Sequence, residues 1–279
     1  MIHSDWHNHS RASYDAELTL EELSAAADQF DFRKMGITDH LNYNDQSFLQ
    51  DMDRSARDFA GARDKFPKLV LGVELTPIAG PEFDYIQKTG TREGYVPGPW
   101  DGRPYEIKLG LTKEELMALG VSYGIGASHW RVDIPDRRSA PLDLDKNIRE
   151  WYRQQLFLAQ DARVTVLGHP WYHYKGLWYE DFSVIDPLMN REIGAALKEN
   201  GKYAECNAGF LKAKDMSEKF RYQYVQFLRE WHEMGIPIVY GSDSHNSYDK
   251  NHLWLTPYLA SVGFKDGDIV EIAEKDLWQ

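Results

Sequence analysis

Short apolar runs alternate along the chain with longer stretches in which apolar residues recur at helical spacing. Residues 2–9 open with an extended pattern, and LTLEELSAAADQF then places Leu20, Leu23, Ala27 and Phe30 on one helical face. Thr19, with Glu22 three residues on, has the spacing of a capping box. KMGITDH predicts a brief strand ending at His40, residues from about Gln46 to Phe66 a long helix, and KLVLGVEL a strand ending near Glu74. Further on, TKEELMALG reads as a short helix, SYGIGASH as a strand ending at His129, LDKNIREWYRQQLFLAQ as a helix and VTVLGH as a strand ending at His169. DPLMNREIGAALKEN is a helix with Pro187 near its start, where the missing N–H costs nothing. KYAECNA, the helix EKFRYQYVQFLREWHEMG closed by Gly235, IPIVYGSDSH and a helical tail complete the series. Seven strands alternating with helices predict an α/β fold with parallel strands. With no linker and no internal repeat, 1–279 reads as a single domain.

The alternation lapses at about 77–111, a stretch dense in Gly, Pro and aromatics. So long an irregular insertion in a compact domain is usually functional or disordered. It predicts a lid or cap, with a β-hairpin excursion as the plainer alternative.

Polar residues that carry chemistry gather at the strand ends. In an extended IHSDWHNHS, His7 and His9 share one face, and Asp5 on that face could accept the second ring N–H of a histidine. His40, Glu74, His129, His169, Asp243 and His245 each close a later strand. In a closed α/β barrel, the carboxyl ends of the strands converge on one mouth, where the active site lies. Imidazole with carboxylate and no thiolate suits Zn, Mn, Fe or Ni, and the set is too large for one tetrahedral ion. Two or three divalent ions are implied, and closely spaced metals activate water and clamp the oxygens of a displacement at phosphorus.

Composition narrows the partners. At 279 residues and 42% hydrophobic content the chain can bury a large core, and its net charge of -12 works against a long nucleic acid or an anionic membrane surface. A small phosphorylated molecule fits better. The single cysteine, Cys206, excludes an intrachain disulfide, and no apolar run has the length of a membrane span, so a cytoplasmic protein is expected.

HNH in DWHNHS, then GITDH, GVE, the SH of GASHW, GHP and GSDSH, in that order and each after an apolar run, resemble the PHP family, named for polymerase and histidinol phosphatase. The likeness runs from Asp5 to His245 and is nearest to stand-alone histidinol-phosphatase-like members. It implies a distorted (β/α)7 barrel with its active site at the C-terminal strand ends. It also implies a di- or trinuclear centre of Mn, Zn or Fe that hydrolyses phosphate esters of a small metabolite through metal-activated hydroxide. His7, His9, His40, Glu74, His129, His169, Asp243 and His245 match the ligand motifs, Glu74 as the bridging carboxylate and, with Asp243 and His245, as the catalytic group. Asp15 stands where members often supply one more ligand.

Other residues are expected nearby. Arg131, two beyond His129, would face the same mouth and grip phosphate with its fork, a surface ion pair being the competing role. His173 and Lys175 could reach substrate from the loop after GHP, and Asn207, alternating with Glu205, could touch substrate or support a ligand. His232 and His252 read as structural or surface residues, and His3 as lying below the metal layer. Two other classes compete: a metal-dependent amidohydrolase, disfavoured by the lack of a strand-terminal lysine, and a non-catalytic metal-binding domain, disfavoured by so complete a ligand set.

Overall fold

The computed structural model describes residues 2–42, 48–135, 143–173, 178–248 and 251–278. Residues 2–9 form no regular strand, yet backbone bonds hold them on both sides. Gly36 N–H donates to Asp5 O (2.7 Å) and Thr38 N–H to Asn8 O (2.7 Å). Opposite, Trp6 N–H donates to Tyr240 O (2.9 Å), Asp243 N–H to His7 O (2.8 Å) and His9 N–H to Ser244 O (2.9 Å).

The remaining strands are β1 (Met35–Ile37), β2 (His40–Leu41), β3 (Leu69–Leu71), β4 (Val73–Leu75), β5 (Ile78–Ala79), β6 (Ile107–Lys108), β7 (Gly124–Gly126), β8 (Val166–Leu167), β9 (Tyr203–Asn207) and β10 (Ile238–Gly241). A parallel sheet runs β10-β9-β8-β7-β4-β2, and β1 pairs with β3 in parallel alongside it. β1 with β2, and β3 with β4, are single expected strands broken at 38–39 and at Gly72. Counting each as one, residues 2–9 bridge the first strand to the last and close a ring of seven, as the barrel expectation requires.

The helices are α1 (Leu20–Gln29), α2 (Phe48–Ala62), α3 (Gly80–Thr89), α4 (Lys113–Ala118), α5 (Leu144–Gln160), α6 (Pro187–Glu199), α7 (Ala208–Leu211), α8 (Glu218–Glu233) and α9 (Asn251–Ser261). The capping box is present: Thr19 accepts from Glu22 N–H and the Glu22 carboxylate accepts from Thr19 N–H. Inside the ring, Trp6, Tyr123, Ile125, Val166, Tyr203, Val239 and Ile272 form a small apolar plug, separate from the larger core between strands and helices. Tyr123 is wholly buried and donates its hydroxyl proton to Trp6 O at 2.7 Å. In the outer core, Trp171 is wholly buried against Trp231 and Tyr224 and donates to Asn190 Oδ1 at 2.9 Å. A buried aromatic of that class removes about 150–250 Å² from water, a gross gain of about 4–6 kcal/mol. That gain pins the loop following His169.

Two expectations are corrected. The 77–111 stretch is not irregular throughout: β5 and β6 pair antiparallel as a stem, and α3 lies between them, with Pro81 in its first turn and Gly90 at φ 74° at its end. Proline at the start and glycine past the end were the legible helix signals. The tail is helical only through Ser261, because Gly263 and Gly267 take φ of 87° and 92°. From there the chain crosses beneath the ring, where Val270 N–H bonds Ile238 O and Trp278 N–H bonds Ser122 O.

Candidate metal centre

Neighbouring strands set the first pair in register, His40 opposite Glu74. Glu74 is wholly buried and central. Its Oε1 lies 3.1 Å from His169 Nε2, 3.4 Å from His129 Nε2 and 3.6 Å from His7 Nε2. Its Oε2 lies 2.5 Å from His40 Nδ1 and 3.6 Å from His9 Nε2. Asp243 Oδ1 stands 3.3 Å from His9 Nε2, 3.6 Å from His7 Nε2 and 3.7 Å from His245 Nδ1. Asp15, a third exposed, reaches His40 Nε2 at 3.3 Å and His245 Nε2 at 3.7 Å. The expected ligands therefore come together in one cluster.

Within it are three donor triads: His9, His40 and His245; His7, His9 and Asp243; Glu74, His129 and His169. In each, one donor atom per residue lies within 4.8 Å of the others. Ligands bound at roughly 2.0–2.2 Å to one ion stand at most about 4.4 Å apart, so each triad is gathered closely enough for small side-chain shifts to close it on an ion. The hydrogen bonding points the same way. His7 and His9 turn their Nε2 atoms on each other at 3.2 Å, and His40 Nδ1 and Glu74 Oε2 meet at 2.5 Å yet neither has a hydrogen-bond partner. Buried lone pairs so crowded and unpaired are what a divalent cation satisfies. The residues present fit the group.

Electrostatics without metal make the same case. Burial favours neutral Glu74, but His40, His129 and His7 outweigh it and hold the carboxyl well below its usual range. Burial likewise opposes charge on Asp243, and His7 and His9 more than offset it. Burial and then His40 push His9 down to about 3, the neutral form a metal takes. Burial also opposes charge on His40, but Glu74 and Asp15 lift that ring to about 10, so without metal it holds a proton that a bound cation would displace.

The backbone is shaped to the task. His169 and Asp243 have φ of 22° and 55°, uncommon for residues with a Cβ. Glu205 anchors the first: its Oε2 accepts from His169 N–H at 2.5 Å, while its Oε1 accepts from His7 Nδ1 at 2.7 Å. A Cβ at Gly241 would fall 1.9 Å from Glu205 Oε1 and 2.7 Å from His7 Cβ, so only glycine admits this approach.

Several expectations change. Asp5 does not orient a histidine ring: its carboxylate accepts from the backbone N–H of His7 and Ser242 and from the Tyr248 hydroxyl. Glu205 plays that part, at the position alternating with Asn207. Asn207 supports a ligand, donating from Nδ2 to Asp243 Oδ2 at 3.2 Å while Oδ1 caps Phe210 N–H. Arg131 does not face the mouth. β7 ends at Gly126, so strand alternation no longer holds five residues on; Arg131 is buried, with Nε and Nη2 forked onto Asp133 at 2.8 and 2.5 Å. His173 is buried too, packed at a tilt against Trp178. Both line a small pocket beside the centre that shares His129, Trp130 and Tyr172 with it. Lys175 lies outside the described residues. His3 faces Asp266, and His252 packs on Phe30 and Phe32.

Above the ligands opens a cleft of about 480 Å³, walled by Tyr14, Asp15, His40, Asn42, His129, Trp130, His169, Tyr172, Gly209, Phe210, Asp243 and His245. No described residue of 77–111 lines it; the hairpin packs instead through Ala79 and Ile107 on Val132 and Trp130. The described walls hold no lysine or arginine. Among the described residues, no helix is long and apolar enough to cross a membrane.

A family model described as PHP domain matches residues 5–209. In fold the chain is similar to a histidinol phosphate phosphatase from Lactococcus lactis, solved with zinc, L-histidinol and phosphate. The two share 16% identity and a TM-score of 0.64, over 99% of this chain and 98% of that one. It is also similar to a candidate histidinol phosphatase from Listeria monocytogenes, at 15% identity and a TM-score of 0.62, over 87% and 95% of the two chains. A search of curated proteins by sequence finds no match.

Proposed function

The chain belongs to the PHP domain family, and from that premise we propose that it is a metal-dependent hydrolase of phosphate esters acting on a small phosphorylated metabolite, as a histidinol phosphatase does. The observation that carries this reading is Glu74, whose two oxygens face five imidazoles and so serve more than one ion. Two or three divalent ions of Mn, Zn or Fe, held by the three triads, would supply an activated water and a clamp on the phosphoryl oxygens. His7, His9, His40, His129, His169 and His245 hold that group, with Glu74 and Asp243 offsetting its charge. Asp15 adds a carboxylate at the exposed rim. Glu205 fixes the ring of His7, and Asn207 fixes the carboxylate of Asp243. Tyr172, Trp130 and Phe210 wall the cleft with flat apolar faces for an organic leaving group.

The L-histidinol and phosphate bound by the Lactococcus lactis protein make histidinol phosphate the first substrate to try. A panel of phosphate monoesters including it, phosphodiesters and an aryl amide, assayed with added manganese or zinc, tests the reading. Turnover of monoesters that ceases on chelation supports it. Cleavage of the amide alone, or of nothing, overturns it, the first outcome in favour of an amidohydrolase.

A further inference from the structure

The described walls of the cleft hold no lysine or arginine, which leaves open what the chain itself offers to a phosphoryl oxygen. A chain of hydrogen bonds answers this. Nδ1 of His129 lies 2.9 Å from Thr76 Oγ1, Thr76 Oγ1 lies 2.5 Å from Asn42 Oδ1, and Asn42 Nδ2 lies 3.3 Å from the Tyr14 hydroxyl oxygen. Thr76 and Asn42 are buried, whereas Tyr14 is 53% exposed and lines the cleft.

The chain has a direction, and the metal site sets it. His129 turns Nε2 toward Glu74 and its triad, so a ligating His129 carries its proton on Nδ1. That N–H donates to Thr76, whose one hydroxyl proton must then go to Asn42. The Asn42 atom facing Thr76 is therefore the carbonyl oxygen, and the amide nitrogen faces Tyr14. Tyr14 accepts that N–H and sends its own proton elsewhere. From this order we infer that the Tyr14 hydroxyl is a hydrogen-bond donor to a phosphoryl oxygen in the cleft, held in that role by Thr76 and Asn42. The inference rests on the phosphoester reading above. It adds a substrate-contacting residue outside the expected set, with two positioning residues behind it.

The test is calorimetric titration of inorganic phosphate into the manganese-loaded protein, with metal content measured in parallel. Tyr14→Phe removes the donor at an exposed position and should leave metal content unchanged. A hydrogen bond to a charged partner corresponds to about 10- to 100-fold in phosphate affinity. N42D keeps the shape but presents oxygens to both neighbours, so Tyr14 should turn its proton onto the new carboxylate and away from the cleft. In the N42D background, Tyr14→Phe should then change phosphate affinity by no more than about twofold, and this comparison cancels the added charge, which both members carry. Undiminished phosphate binding by Y14F, or the same loss from Y14F in both backgrounds, overturns the inference while leaving the phosphoester reading standing. A wild-type protein that neither binds phosphate nor hydrolyses any ester takes both down.

Discussion

Oε1 of Glu205 accepts a hydrogen bond from Nδ1 of His7 at 2.7 Å, and through it a residue of β9 sets the ring of a residue 198 positions earlier. The bond keeps the His7 proton on Nδ1 and leaves Nε2 for metal. The other oxygen holds His169 N–H, so one carboxylate braces two ligands. Glu205→Gln should weaken metal binding about 10- to 100-fold, read by competition with a chromogenic chelator. Unchanged affinity would show that the contact is merely structural.

Glu74→Ala should release more than one metal equivalent, since the two oxygens of Glu74 face different rings. Elemental analysis after gentle purification decides it: loss confined to a single ion contradicts bridging.

Cys206 is buried beside Glu205, and burial pushes its thiol well above the usual range. Nor does it line the cleft. Cys206→Ser should keep full metal content and activity, and no phosphoenzyme should accumulate. A trapped phosphocysteine would refute a direct attack by water.

Arg131 and Asp133 form a two-pronged pair with side chains 5% and 14% exposed. Arg131→Ala strands a poorly hydrated carboxylate, so it should cost about 3–5 kcal/mol in urea unfolding. Adding Asp133→Asn should restore part of that. A stable Arg131→Ala protein with a raised KM would return Arg131 to the substrate.

Asp161, in the turn before β8, accepts from the Arg163 guanidinium at 2.8 and 2.7 Å and from its backbone N–H at 2.8 Å. Burial raises its pKa, but Arg163 more than offsets this and the net shift is downward. An acid depressed in the folded state contributes stability that is complete above its unfolded value of about 3.9 and lost as pH falls through the folded value. Asp161→Asn should therefore lower stability by about 1–2 kcal/mol at pH 7. Thermal melts of the two proteins should converge in acid, and a gap that persists at pH 2 excludes the ion pair as its source.

The metal layer was legible because it obeys a simple rule: most of its members stand at or within three residues of an end of a short parallel strand, and parallel strands bring those ends together. His7, His9, His40, Glu74, His129, His169, Asp243 and His245 enter the cluster for that reason, whereas Asp15 reaches it from the loop before α1. The rule fails where the strand stops. Arg131 lies five residues beyond Gly126, on a loop whose direction no alternation predicts, and it turns into a side pocket. Glu205 and Asn207 share one strand parity, so spacing alone could not rank them; the room left by Gly241 decides that Glu205 meets His7. Thr76 and Asn42 carried no signal of their own, since a lone threonine and a lone asparagine become meaningful only once His129 is placed between them and the metals.

Beneath the metal layer the barrel is stoppered. Trp6, Tyr123 and Ile272 fill its lumen, and the last residues are tied across the lower rim at Ile238 and Ser122. Among the described residues, the centre thus opens to solvent on the side of the cleft walled by Tyr14 and Tyr172. On the phosphoester reading proposed above, a departing phosphate and an incoming ester would meet in that same cleft, so free phosphate should compete with the ester for it.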